Sequence, residues 1–304
     1  MFFFVLTVSL TVSLYLIMRA FGRFGVNVNQ AVAINYYSCV ATGCLLLPAG
    51  QSLSNVNWTS TPTLLTVSLG VLFVVVFVLI GQTTQKVSVT ATSLASNMSL
   101  VIPVLFSLLV FKNTNKIFTS LNYFGLALAL LALALSSLRA ASPGVAANSR
   151  AVWVLPVLVF VGSGTCNTLI NYLSFTYYKP AETSLFMVIA CTGACAVGAV
   201  LLVSEILRGQ KLTLTTVLGG LVLGVPNFLS LYFLLKVLDS FGNSAAFVFP
   251  IFNISVILVS AAAGFLLFKE SLSALNKVGL ALAVAAIVLI SYQEILGMGS
   301  ISTF

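Results

Sequence analysis

Asn35, Asn97, Asn167, Asn227 and Asn253 each lie deep within a long apolar run of this chain. A carboxamide left without a partner in an apolar medium is costly, so each of these side chains must face protein, water or a solute. Ser13, Tyr36, Ser96 and Tyr172 sit in the same runs and add hydroxyls. A serine or threonine can instead bond its own helix backbone or serve as a small packing residue. What this set can do is hold a solute by hydrogen bonds; it is poorly equipped to make or break covalent bonds. The chain has no His, and its five acids stand singly along the sequence, so paired carboxylates and an imidazole base are both missing. An integral membrane enzyme is therefore disfavoured, and neither a cofactor nor a metal is implied.

The charged and sulfur-bearing residues read more plainly. Glu182 is the acid nearest the interior of an apolar run and has two readings. Buried, it would have a raised pKa suited to exchanging protons as a coupling ion; at the membrane surface it would pair with Lys179. Lys86 and Lys236 precede apolar runs and read as snorkelling ends. Glu205, Arg208 and Lys211 read as ordinary connector charges. Cys39, Cys44, Cys166, Cys191 and Cys195 all lie in apolar stretches with no further soft ligand or base evident, so they read as small packing residues.

The elements that carry these residues follow from composition. Of the 304 residues, 60% are hydrophobic and 6% charged, whereas about a quarter are charged in a soluble domain. Apolar runs cover 2–18, 29–49, 62–82, 87–111, 119–139, 151–174, 181–205, 213–236, 241–268 and 272–293. Each is long enough to cross a hydrocarbon core as a helix, and too long and too continuous for barrel strands. The first run lacks a basic leader and is followed by Arg19 and Arg23 rather than a cleavage site, so it reads as a retained helix. The fold expected is all-α and integral to the membrane: ten transmembrane helices forming one membrane domain.

The two halves resemble copies of each other. Phe111-Lys112, followed by Asn122-Tyr123-Phe124-Gly125-Leu126-Ala127-Leu128-Ala129, recurs as Phe268-Lys269, followed by Asn276-Lys277-Val278-Gly279-Leu280-Ala281-Leu282-Ala283. Asn97-Met98-Ser99 matches Asn253-Ile254-Ser255. At a common offset, Gln30 pairs with Glu182 and Cys39 with Cys191. The connector at 140–150, with Ser-Pro-Gly at 142–144, divides a first five-helix repeat (1–140) from a second (150–304). An odd number of helices per repeat inverts the second copy, the arrangement that supports alternating access in secondary carriers.

In architecture, and in the segments Phe268-Lys269-Glu270 and Gly279-Leu280-Ala281-Leu282, the chain resembles the drug/metabolite transporter superfamily, specifically its EamA-like ten-helix branch. Phe111-Lys112-Asn113 leading to Gly125 departs from the pattern, with Asn113 where an acid is common. Gln30-Ala31-Val32 after a short Asn-rich connector is also similar to bacterial members. The motifs of nucleotide-sugar carriers and the first-helix Glu of small multidrug exporters are missing. The resemblance implies a secondary transporter that moves a small metabolite, amino-acid-like or otherwise polar or amphipathic, by alternating access. An uncoupled uniporter or exchanger and a lipid-handling protein are the alternatives.

The implied partners are a small-molecule substrate and membrane lipid, with protons as the possible coupling ion and no nucleic acid. The candidate substrate contacts are Ser13, Asn35, Tyr36, Ser96, Asn97, Asn167, Tyr172, Asn227 and Asn253, with Glu182 for coupling. Nine Lys and Arg (Arg19, Arg23, Lys86, Arg139, Arg150, Arg208, Lys211, Lys269 and Lys277) fall on one side of the expected membrane, and four on the other. Positive-inside reasoning then places both termini outside the cytoplasm. The lack of long hydrophilic tails points to a bacterial inner membrane.

Overall fold

The computed structural model describes residues 2–103, 119–137, 150–179, 182–240, 245–270, 273–290 and 292. Phe111-Lys112-Asn113 and the connector at 142–144 lie outside them. The helices are α1 (Phe2–Phe21), α2 (Val28–Leu45), α3 (Thr61–Lys86), α4 (Val89–Met98), α5 (Ser120–Ser137), α6 (Arg150–Tyr177), α7 (Thr183–Leu207), α8 (Leu214–Ser240), α9 (Ala245–Phe268) and α10 (Ala274–Ile290). No strand occurs among the described residues. Six helices, α1, α3 and α6 to α9, contain stretches long and apolar enough to cross a membrane, so the protein is membrane-embedded.

Helix starts are set by local side chains. Asn27 Oδ1 accepts from the Asn29 and Gln30 amides at 3.0 and 3.2 Å to open α2. Ser88 Oγ accepts from Ala91 N at 3.0 Å to open α4. The starts of α5 and α10 are built alike. Asn122 Oδ1 accepts from Thr119 N and Oγ1, both at 2.9 Å. Asn276 Oδ1 accepts from Ser273 N at 3.0 Å and Ser273 Oγ at 2.6 Å. Each is a reach-back cap, with Asn in the place of the usual Glu or Gln.

The fourth apolar run is not one continuous helix. α4 stops at Met98, the chain turns at Ser99 and Leu100, and helix resumes at 101–103. Side chains there compete for backbone carbonyls: Asn97 Nδ2 donates to Ser93 O at 2.6 Å, and Ser99 Oγ to Ser96 O at 2.5 Å. Pro103 has no N–H for the carbonyl four residues back, and Ser99 O is taken by Ile102 N at 3.0 Å, a tighter turn.

Packing between helices follows a regular scheme. α2 lies against α7 and α8, α3 against α7 and α6, α1 against α8 and α9, α4 against α9 and α6, and α5 against α10. Exchanging α1–α5 for α6–α10 leaves that set of pairings unchanged. Small residues permit the closest approaches. A Cβ on Gly224 would strike the Asn35 carbonyl, and one on Gly220 would meet Ala31 O at 2.7 Å, so the Gly220-x-x-x-Gly224 pair seats α8 on α2. Gly70 and Gly193 do the same for α3 on α7, with backbone touching backbone.

At one end of the bundle the C-termini of α1, α3, α7 and α9 meet the N-termini of α2, α4 and α8. Glu270, just beyond α9, is buried and accepts from Val89 N at 2.7 Å, Thr90 N at 3.3 Å and Thr90 Oγ1 at 3.1 Å. Arg19 Nε stands 3.8 Å from the same carboxylate, and its Nη1 donates to Thr84 O and Gln85 O at 2.9 and 2.5 Å. Arg23 lies 4.7 Å above the Phe268 ring. Glu205 is also buried rather than an ordinary connector charge: it accepts from Asn29 Nδ2 at 3.1 Å and Asn27 Nδ2 at 3.5 Å, with Arg208 at 3.8 Å.

Candidate solute-binding cavity

A cavity of about 270 Å³ lies at the centre of the bundle. It is lined from α1 (Thr11, Leu14, Tyr15), α2 (Tyr36, Cys39), α3 (Phe73, Val76, Phe77, Ile80) and α4 (Ser96). The other wall comes from α6 (Ser163, Cys166, Asn167, Ile170), α7 (Met187, Cys191), α8 (Asn227, Phe228, Ser230, Leu231, Leu234) and α9 (Phe252). Among the described residues, none from α5 or α10 lines it. The volume is close to the lower bound, about 300 Å³, usual for small-molecule sites. Most of the wall is aliphatic or aromatic, and the described lining holds no Asp, Glu, Lys or Arg.

The structure brings together four of the residues expected to meet a solute, Tyr36, Ser96, Asn167 and Asn227, on four different helices. Asn35 and Asn97 stand one layer behind. Asn35 is fully buried; its Oδ1 accepts from Asn227 Nδ2 at 3.0 Å and from the Cys39 thiol at 3.5 Å. Asn97 Nδ2 is turned back onto its own helix, at Ser93 O. Asn253 is buried, its Nδ2 has no hydrogen-bond partner among the described residues, and it does not line the cavity. Ser13 Oγ donates to Leu10 O at 2.6 Å, within α1. Tyr172 is exposed on α6, its ring edge-on to Tyr177 at 6.4 Å. Glu182 sits at the entry to α7, partly exposed, and takes the backbone N–H of Lys179 at 2.9 Å. That is close to the interfacial reading, although the donor is the Lys179 main chain.

Several lining residues carried a weaker signal. Cys39, Cys166 and Cys191 do pack between helices, and they also face the cavity. Cys39 Sγ approaches Gly224 O at 3.4 Å and accepts from Asn227 Nδ2 at 3.5 Å. Ser163 is buried, lines the cavity, and its Oγ has no hydrogen-bond partner among the described residues. The aromatic wall of Phe73, Phe77, Phe228 and Phe252 is indistinguishable in sequence from lipid-facing phenylalanines, because both environments are apolar.

With this geometry in place, similarity to other proteins adds the fold. A protein of Haemophilus influenzae, itself uncharacterized, is 25% identical over 287 residues, covering 93% of this chain and 95% of that one. A solved structure, described only as the crystal structure of a protein, superposes with a TM-score of 0.59 at 16% identity, covering 96% of both chains. At that identity the likeness is one of fold alone. No family model matches the chain.

Proposed function

We propose that this protein is a secondary transporter of the drug/metabolite type. It would move a small polar or amphipathic metabolite across a bacterial inner membrane by alternating access, through ten transmembrane helices arranged as two inverted five-helix repeats. The observation that carries the reading is the central cavity, to which α1–α4 and α6–α9 all contribute and, among the described residues, α5 and α10 do not. A solute there touches both halves of the molecule, and rocking one half against the other exposes it to each side in turn. The exchange-invariant packing scheme and the matched caps of α5 and α10 support the repeat. The charge asymmetry supports termini outside the cytoplasm, since Arg19, Arg23, Lys86, Arg208, Lys211, Lys269 and Lys277 all fall at one end.

An uncoupled exchanger is favoured over a proton-coupled carrier by one specific feature. Among the described residues no acid lines the cavity, and Glu182 lies at a helix entry instead. The same lining holds no carboxylate or imidazole to act as a base, which favours transport over catalysis.

The test is counterflow in proteoliposomes. Vesicles preloaded with a candidate metabolite, chosen by its effect on the melting temperature of purified protein, should take up a labelled tracer of the same compound above its equilibrium level. Protein-dependent binding without any tracer accumulation would sink the transporter reading.

A further inference from the structure

The carboxamides of the cavity are held in fixed orientations. Asn35 Nδ2 donates to Val32 O at 3.4 Å, which turns Asn35 Oδ1 toward α8. There it accepts from Asn227 Nδ2 at 3.0 Å, and the same nitrogen donates to Cys39 Sγ at 3.5 Å. An amide nitrogen has two N–H groups, and both are thereby committed. What Asn227 has left for the cavity it lines is its carbonyl oxygen. On the α6 wall Asn167 Nδ2 gives one N–H to Ser99 Oγ at 3.4 Å, and its carboxamide also lines the cavity. Ser163 Oγ, buried and unpartnered, lines it too.

We propose that this cavity selects N–H donors, taking a small molecule that carries an amide or ammonium group on an apolar body and turning away carboxylates and phosphates. The inference rests on the reading of the cavity as the substrate site. A carboxylate offers only acceptors and would meet the Asn227 amide oxygen with no cation among the described lining residues to offset its charge. An N–H group finds the Asn227 oxygen already aimed, while Phe73, Phe77 and Phe228 enclose the apolar part. An amino acid with its carboxylate free is thus a poor ligand, and its amide a better one. Asn35 does not line the cavity; it is a positioning residue that sets which end of Asn227 the solute meets.

The experiment compares three probes of matched shape, hydrocinnamamide, phenethylammonium and hydrocinnamate, by their effect on the melting temperature of the purified full-length protein. The amide and the ammonium are expected to raise it with concentration and the carboxylate to leave it unchanged. Asn227→Leu should weaken the response to both N–H probes by about tenfold or more. Asn35→Leu releases Asn227 to rotate, so the ratio of carboxylate to amide response should rise. A merely structural role for Asn35 would lower all three responses together. A carboxylate that stabilises the wild-type protein as strongly as the amide overturns the proposal, as does silence from both N–H probes, and both results need only the wild type. Counterflow separates the two claims. An amide that binds but is not carried removes the transport reading and leaves the selectivity standing; a carried carboxylate does the reverse.

Discussion

Glu270 belongs to the segment after α9, yet its oxygens serve the first turn of α4 and the guanidinium of Arg19. It satisfies orphan amides at a helix N-terminus, where negative charge is favoured, and it does so while buried. Glu270→Gln keeps one acceptor and should cost about 2 kcal/mol. Glu270→Ala leaves the α4 amides and Arg19 without it and should cost about 3–5 kcal/mol. Melting of the two variants in detergent, with Ala below Gln and both below wild type, checks the order. Glu182 takes only a backbone N–H at the mouth of α7, so Glu182→Gln should leave the pH profile of transport unchanged; a flattened profile would mark it as the coupling group. At this scale the asparagines were legible because an unpaired amide in hydrocarbon is expensive wherever it stands. The role of Glu270 was not, since its partners lie about 180 positions away in the chain.

Among the elements, the two glycine contacts test how the bundle is assembled. Gly193 on α7 meets the backbone of α3 at Val67, and Gly70 on α3 meets that of α7 at Gly193 and Ala194. Backbone cannot rotate aside as a side chain can. Gly193→Ala and Gly70→Ala should each destabilise by about 1–3 kcal/mol, read as a lower melting temperature, and the double variant should fall short of additive because both act on one contact. The Gly220-x-x-x-Gly224 approach was legible from spacing alone, though its partner, α2, was not. The break in the fourth span was harder to foresee. Hydropathy reports burial in lipid and is blind to a carbonyl being captured by Asn97 or Ser99, which is what ends α4.

For the molecule as a whole, apolar run length made the helical membrane fold legible; the local match around Gly125 and Gly279 falls on α5 and α10, whose packing against each other the sequence did not foretell. Which residues face the cavity was only partly legible, because an apolar wall around a solute and an apolar surface in lipid draw on the same amino acids. The charge asymmetry makes a topology prediction. Ser54, exposed in the connector between α2 and α3, lies at the end opposite Arg19 and Glu270. In intact cells, Ser54→Cys should react with a membrane-impermeant maleimide; labelling only after permeabilisation would reverse the orientation. The capping of α4 by Glu270 also has a meaning in time. A ribosome releases Val89 into the membrane 181 residues before the carboxylate that completes it, and at about 5–20 residues per second that interval is roughly 10–35 s. Throughout it, the first half of the chain waits with one helix unfinished. Residues 1–149 produced alone should therefore be degraded, and residues 150–304 supplied as a second polypeptide should rescue them.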